Sequence, residues 1–127
     1  TTLFRSKNNV LLVSSDKEII DIGPRVIKDN FDCILTTVSN GLDAFIECQK
    51  KEFKFIITDF KLTFMNGAAL VTGIRSRENL NMNTCILIFS DTLDEASVND
   101  IGVQKLEFCK KPIDIHQLTQ ILWHHLG

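Results

Sequence analysis

Five short apolar runs recur along the chain, and most of them are continuous rather than alternating with polar residues. Continuous apolar runs are typical of strands that are covered on both faces of a sheet. Segments with helical spacing of apolar residues separate these runs. The alternation therefore predicts an open, mostly parallel α/β sheet with right-handed crossovers and helices on both faces. The predicted strands are 10–13, 33–35, 53–58, 85–89 and 106–109.

Four of the segments between and after the strands place apolar residues on one side of a helix. In the first, the pair Gly23-Pro24 should kink or shorten the helix. Ser39 is the expected N-cap of the second, and Asp114 of the last. The segment 92–103 is weakly periodic and gives the poorest helix prediction. The residues expected on the buried faces are Ile19, Ile20, Val26 and Ile27; Leu42, Phe45 and Ile46; Leu70, Val71 and Ile74; and Ile115, Leu118, Ile121 and Leu122.

Length and composition narrow the class of protein. A chain of 127 residues with 44% apolar content is expected to form one domain over 10–127, after a flexible polar lead-in over 1–9. The net charge of −2 gives no broad surface for nucleic acid, and no apolar run approaches the roughly 18 residues that span a membrane. Buried free thiols in a reducing compartment, hence the cytoplasm, are expected for the four cysteines. These are Cys33, Cys48, Cys85 and Cys109.

Polar residues follow the predicted strands at one edge of the sheet. In open parallel sheets the functional crevice lies beyond the carboxyl ends of the strands, where the strand order reverses. An acid, a hydroxyl and a lysine should therefore converge there from three different strands, which predicts a small active site. The residues at the strand ends are Ser14-Ser15-Asp16, Asp59-Phe60-Lys61, Ser90-Asp91 and Lys110-Lys111-Pro112.

Three interpretations compete for Ser14-Ser15-Asp16. Ser15 and Glu18 have the spacing of a capping box, and either Ser15 or Asp16 can cap the helix that follows. A helix N-terminus also favours anions, but the stretch lacks the glycine of a flavodoxin-like phosphate loop. The third interpretation is a metal site in which hydroxyl groups have replaced carboxylates.

From Val10 to Leu126 the sequence resembles the receiver domain of two-component response regulators. The stretch FIITDFKLTFMNGAAL resembles the phosphoacceptor segment, with Asp59 at the phosphorylated position and Met65-Asn66-Gly67 as the following turn. Ser90 stands at the family's Ser/Thr position, Lys111 at the lysine of its Lys-Pro pair, and Phe108 at its switchable aromatic. The resemblance implies a flavodoxin-like (βα)5 fold, a doubly wound five-stranded parallel sheet in three α/β/α layers.

The resemblance fails at the first strand. The family has two adjacent acidic residues there, which help to hold Mg²⁺, and this chain has Ser14 and Ser15. Thr63 also replaces a usual proline, and Asp91 replaces a small apolar residue. The implied metal ligands are Asp59, Asp16 and the Lys61 backbone carbonyl. Because Asp59 and Lys111 together are neutral, a divalent cation gains little unless Asp16 and Asp91 both turn inward. We expect weak Mg²⁺ binding or none, and Asp91 facing solvent.

The implied function is that of a phosphoacceptor in a two-component phosphorelay. Asp59 would take a phosphoryl group from a phosphohistidine on a histidine kinase or phosphotransfer protein, and Lys111 and Ser90 would contact the phosphoryl oxygens. Ser90 and Phe108 would then move together and report to a downstream protein through the face of the fourth helix, fifth strand and fifth helix. Enzymatic activity would be limited to self-phosphorylation and autodephosphorylation, with no independent metabolic reaction.

Two other functions remain open at this point. A pseudo-receiver would use the same fold as a phosphorylation-independent interaction module, which Ser14, Ser15 and Asp91 favour. A flavin-binding electron carrier is poorly supported because the phosphate loop is missing.

Exposed positions on the last helix are expected for His116, His124 and His125, where histidine complements the helix dipole.

Overall fold

A five-stranded, all-parallel sheet forms the centre of the protein in the computed structural model, which describes residues 8–76, 78–91 and 105–127. The strand order is β2-β1-β3-β4-β5. The chain places β2 on one side of β1 and β3 on the other side, so the strand order reverses at β1. All five predicted strands are confirmed, and β1 begins two residues earlier than predicted. The strands are β1 (Asn8–Val13), β2 (Cys33–Val38), β3 (Phe55–Asp59), β4 (Cys85–Ser90) and β5 (Leu106–Lys110).

Helices cover both faces of the sheet, which confirms the predicted three-layer, doubly wound flavodoxin-like fold. They are α1 (Lys17–Asn30), α2 (Gly41–Lys50), α3 (Gly67–Arg75) and the C-terminal helix (Ile115–Leu126). α1 and the C-terminal helix pack on one face, and α2 and α3 pack on the other. The predicted helix over 92–103 and residues 1–7 of the predicted lead-in over 1–9 lie outside the described residues, and Asn8 and Asn9 belong to β1. Within the described ranges, no helix combines the length and apolar character needed to cross a membrane.

β1 shows why the apolar runs are continuous. Successive side chains of a strand point to opposite faces of the sheet. Val10 and Leu12 therefore enter the core under α1 and the C-terminal helix, while Leu11 and Val13 enter the core under α2 and α3. Because both faces are covered, every position from Val10 to Val13 is buried.

α1 runs unbroken through Gly23-Pro24, so the prediction that this pair shortens the helix is wrong. Gly23 lies against the sheet, where an added Cβ would be 3.3 Å from Leu12 Cδ2, and the close approach packs the helix tightly. This packing maintains the helix despite the amide hydrogen that Pro24 lacks. Ile20 is 48% exposed and does not belong to the predicted buried stripe.

α2 presents a different face to the sheet from the predicted one. Small residues, namely Gly41, Ala44 and Cys48, line its buried face, while Leu42 and Ile46 are exposed. Its N-cap is Asn40 rather than Ser39, because the Asn40 side chain accepts the Asp43 N–H at 2.8 Å. Phe45, the third residue predicted to face the core, is half-buried and packs on the core beneath α2 and α3.

Predictions for the other two helices hold more closely. Leu70, Val71 and Ile74 of α3 are all buried. Asp114 caps the C-terminal helix, whose Leu118 and Leu122 are buried, although Ile115 is exposed.

The histidines and cysteines are distributed between core and surface. His116 and His124 are exposed as predicted, but His125 is half-buried, stacks on Phe55 and lies 3.2 Å from a Glu107 carboxylate oxygen. All four cysteines are free thiols; Cys48 and Cys109 are buried, and the other two are half-buried. Burial raises the pKa of Cys48 to about 12 and that of Cys109 to about 11.

Asn81 is a fully buried polar residue at the end of the sheet opposite to the carboxyl ends of the strands. Its side-chain oxygen accepts the Phe53 N–H at 2.8 Å, and its amide group donates to the carbonyls of Cys48 at 2.7 Å and Lys51 at 2.8 Å. One side chain thus joins the end of α2 to the segment that leads into β3. The sequence analysis did not single out this residue.

Replacing Asn81 by alanine should lower the free energy of unfolding by about 3 kcal/mol, because buried backbone groups lose their partners. Asn83→Ala is the matched control at an exposed neighbouring position, and should change the free energy by no more than about 0.5 kcal/mol. Urea denaturation of the two variants measures the difference. Equal stabilities would show that the Asn81 network contributes nothing.

Candidate functional site

The site lies where the carboxyl ends of β1, β3 and β5 meet at one edge of the sheet. Ser14 follows β1, Asp59 ends β3, and Lys111 follows β5. β1 and β3 are neighbours across the reversal of strand order, the position at which open α/β sheets carry their functional crevice. Two of the groups predicted to converge, Asp59 and Lys111, lie together, and the hydroxyl group that contacts the acid is that of Ser14.

Asp59 is a buried carboxylate, 2% exposed. Its Oδ2 accepts a hydrogen bond from the Ser14 hydroxyl at 2.5 Å. Its Oδ1 lies 3.2 Å from the Lys111 ammonium, close enough for an ion pair, but it accepts no hydrogen bond from any described residue. Burial raises the pKa of Asp59 and outweighs the Ser14 hydrogen bond and the Lys111 charge, which lower it. One oxygen of this carboxylate is thus hydrogen-bonded, and the other has an ion pair with Lys111 and no hydrogen bond.

Asp16 turns inward from the start of α1. It is the N-cap, and its Oδ1 accepts the Glu18 N–H at 3.0 Å. Its own N–H donates to the Ser14 hydroxyl at 3.0 Å, and its Oδ2 accepts a hydrogen bond from Lys111 at 2.9 Å. The Lys111 hydrogen bond lowers the pKa of Asp16. Of the two residues expected to cap the helix, Asp16 does so, and Ser15 is exposed.

Lys111 bridges the two carboxylates. Its side chain is 17% exposed, and burial by itself would lower the pKa of its ammonium group. The hydrogen bond to Asp16 and the charge of Asp59 together outweigh burial, so the pKa of Lys111 is raised. The ammonium therefore stays charged between two carboxylates, and the three groups together carry a formal charge of −1.

This donor set fits a divalent cation that takes few protein ligands. The described residues contain no group of three or more His, Cys, Asp or Glu side chains that could hold a metal ion. Mg²⁺ is nevertheless usually held by one or two carboxylates, and it keeps several of its waters. Asp59 Oδ1, buried and without a hydrogen bond from any described residue, is the oxygen that such an ion would take in place of the Lys111 ammonium at 3.2 Å.

Ser90 and Phe108 lie on the strands next to the site. Ser90 is the half-buried last residue of β4, and its carbonyl accepts the Lys111 N–H at 2.8 Å. Phe89, one residue earlier, pairs with Asp59 across the sheet. Phe108 is half-buried on β5, in register with Ile88, and packs on the core beneath α2 and α3. Both residues are therefore in the expected elements.

Lys61 and Asp91 are both exposed. Lys61 follows β3 by two residues in the loop that leads to α3. Asp91 faces solvent as predicted, on the rim of a cleft of about 260 Å³ that Asp16 and Lys111 also line. The carboxylate that turns inward is thus Asp16.

The Met65-Asn66-Gly67 turn brings α3 close to the end of β3. Asn66 is the N-cap of α3 and accepts the Ala69 N–H at 2.8 Å. Gly67 donates its N–H to the Phe60 carbonyl, and an added Cβ would lie 2.7 Å from the Asp59 backbone oxygen. Because such a contact requires the backbone to shift, glycine is needed at this position.

The role of Ser14 does not follow from the sequence pattern. The resemblance implies only a lost metal ligand at this position, whereas the Ser14 hydroxyl donates to Asp59 and accepts from Asp16. The available signal was its place directly after a buried strand, beside the strand that ends in Asp59.

Replacing Ser14 by alanine should lower the free energy of unfolding by about 2 kcal/mol, because a buried carboxylate oxygen loses its hydrogen bond. Ser15→Ala, at the exposed adjacent serine, should change it by no more than about 0.5 kcal/mol. Urea denaturation distinguishes the two variants. Equal losses would contradict the assigned hydrogen bond.

Comparisons with solved structures find close matches in fold. The chain matches the receiver domain of the sensor histidine kinase PA1611 from Pseudomonas aeruginosa PAO1 with a TM-score of 0.80 and 19% identity. The match covers 94% of this chain and 98% of that chain. The PA1611 receiver domain has a magnesium ion coordinated in its active site cleft. It matches the chemotaxis response regulator CheY4 of Vibrio cholerae with a TM-score of 0.81, 22% identity and coverage of 95% and 100%. A third match is the CheX-CheY-BeF3-Mg+2 complex from Borrelia burgdorferi, with a TM-score of 0.78 and 19% identity. This match covers 94% of this chain and 90% of that chain.

Comparisons of sequence assign the family. A search of curated protein sequences finds no match. The response regulator receiver domain family matches residues 10–123, which is most of the chain and includes all the site residues described above and all of the strands except the first two residues of β1. The chain therefore belongs to the response regulator receiver domain family of two-component signalling.

Proposed function

We propose that this receiver domain accepts a phosphoryl group on Asp59 from a phosphohistidine of a histidine kinase or phosphotransfer protein. The observation that carries the proposal is the state of the Asp59 carboxylate. It is buried at the reversal of strand order, one oxygen is held by Ser14, and the other has no hydrogen bond and faces an ammonium group at 3.2 Å. This is the arrangement of an acceptor that is fixed in place and still has one oxygen available.

In the proposed transfer, a carboxylate oxygen of Asp59 attacks the phosphorus atom. The bond between phosphorus and the histidine nitrogen breaks, its electron pair returns to the imidazole, and an acyl phosphate forms on Asp59. Positioning and electrostatic stabilisation supply most of the catalysis in such reactions. Lys111 would pair with a phosphoryl oxygen as a point charge, which its place beside Asp59 supports.

Asp59, Asp16 and the backbone carbonyl of Lys61 would hold Mg²⁺. When bound, Mg²⁺ supplies positive charge that neutralises the phosphoryl oxygens. The PA1611 receiver domain coordinates magnesium in its cleft, which supports the same ion here. We propose that binding is weak, because Ser14 and Ser15 supply no carboxylate and the Asp16 Oδ2 already accepts a hydrogen bond from Lys111.

Ser90 and Phe108 form the proposed switch. A phosphoryl group on Asp59 adds charge and acceptor oxygens, and the Ser90 hydroxyl would donate to one of them. Phe108 would follow into the space that Ser90 leaves, a two-state shift. Among the described elements, β5 and the C-terminal helix would report this shift to a downstream protein.

We further propose that the domain works in the cytoplasm, where its free thiols remain reduced.

Incubation with a small acyl phosphate and Mg²⁺ should add one phosphoryl group to the protein, measured by intact mass. Asp59→Asn should show no addition, because the amide is not a nucleophile of this kind. Asp91→Asn is the matched control, since it removes an exposed carboxylate on the rim of the same cleft, and it should be phosphorylated like the unmodified protein.

Failure of the unmodified protein to gain mass at high Mg²⁺, as for Asp59→Asn, would contradict the proposal. That result would favour a pseudo-receiver, a phosphorylation-independent interaction module. The observation behind this second function is that Ser14 and Ser15 occupy the positions of the family's acidic pair.

A further inference from the structure

The polar groups of the site form a closed ring. The Ser14 hydroxyl donates to Asp59 Oδ2 and accepts the Asp16 N–H. Asp16 Oδ2 accepts a hydrogen bond from Lys111 at 2.9 Å, and the Lys111 ammonium lies 3.2 Å from Asp59 Oδ1. The ring supplies Asp59 with one hydrogen bond and one positive charge, both from the chain itself.

Asp16 controls the position of the ammonium group within this ring. Asp16 is itself fixed, because it caps α1 through Oδ1 and donates its N–H to Ser14. Asp16 accepts a hydrogen bond from Lys111. Asp59 Oδ1 forms an ion pair with Lys111, but the geometry of this contact is not that of a hydrogen bond. The ammonium is thus closer to Asp16, at 2.9 Å, than to Asp59, at 3.2 Å.

We propose that Asp16 is a positioning residue that tethers Lys111 over Asp59 as an internal counterion, and that this tether weakens the binding of divalent cations. The Asp16 and Asp59 oxygens that face the ammonium are oxygens that a cation would need. A cation can use both of them only after Lys111 has moved away, so binding requires an ion pair to break. The inference rests on the proposed function for the identity of the cation as Mg²⁺.

The first experiment removes the internal charge. Lys111→Met should raise the Mg²⁺ affinity by about tenfold or more, measured by isothermal titration calorimetry, because both carboxylates lose a competing cation. Mg²⁺ should also raise the melting temperature of Lys111→Met more than that of the unmodified protein, because it replaces the missing charge. Lys110→Met removes the same charge from an exposed neighbouring position, and should change the affinity by less than about twofold in physiological salt.

The second experiment tests the tether by a double-mutant cycle. Asp16→Asn keeps an N-cap of equal quality and removes the charge that pairs with Lys111. In the unmodified background it should lower the Mg²⁺ affinity by no more than about threefold, because Lys111 already occupies that carboxylate. In the Lys111→Met background Asp16 is released as a ligand, so the same change should lower the affinity by about tenfold.

A third measurement does not depend on the folding of Lys111→Met. In the unmodified protein, the ¹⁵N resonance of the Lys111 ammonium should shift in proportion to Mg²⁺ binding, because the ammonium must leave its place. A resonance that is unchanged at saturating Mg²⁺ would overturn the proposal. An unchanged or lower affinity in Lys111→Met, or equal effects of Asp16→Asn in both backgrounds, would also overturn it.

These results are separable from those that test phosphorylation. The calorimetric and resonance measurements need no phosphoryl donor, so the tether can be confirmed in a protein that is never phosphorylated. Conversely, phosphorylation of Asp59 with no change of Mg²⁺ affinity in Lys111→Met would leave the proposed function intact and refute the tether.

Discussion

The burial of one carboxylate, Asp59, is the constraint on which the site depends. A buried charge is costly unless it is paired and hydrogen-bonded, and here the partners come from opposite directions along the sheet. Ser14 reaches Asp59 from the end of β1, and Lys111 reaches it from beyond β5. β1, β3 and β5 must therefore be correctly placed in the sheet for the Asp59 charge to be paired. The contacts of Asp59 in turn hold the ends of these strands together.

This arrangement differs from the family pattern in the source of charge compensation. The resemblance to the family implies an acidic pair, whose charge a metal ion would balance, at the positions of Ser14 and Ser15. In this structure a lysine lies between two carboxylates instead. The result is a site with a formal charge of −1 that is largely compensated from within. In such a site the buried carboxylate is held by a hydrogen bond and an ion pair that the chain itself supplies.

The fold and the main site residues could be predicted because they follow from position. Continuous apolar runs identified the strands, and the carboxyl ends of parallel strands must share one edge, which brought Asp59 and Lys111 together. The placement of Asp91 in solvent was also correct. These features depend on topology, which the order of apolar and polar segments reveals.

The remaining features depend on tertiary packing, which a local pattern does not show. α1 passes through Pro24 because Gly23 allows close contact with Leu12, and α2 buries Ala44 and Cys48 while its Leu42 and Ile46 are exposed. The partners of Asn81 are distant in sequence, so its network leaves no periodic signal. The same holds for Ser14, whose acceptor lies 45 residues further along the chain.

The most direct test of the central claim is to locate the phosphoryl group chemically. Borohydride reduces an acyl phosphate on aspartate to homoserine, and peptide mass mapping after treatment with a phosphodonor identifies the reduced residue. The account predicts homoserine at position 59 and at no other aspartate. Reduction at Asp16 or Asp91 in its place, or at no residue, would contradict the assignment of Asp59 as the acceptor.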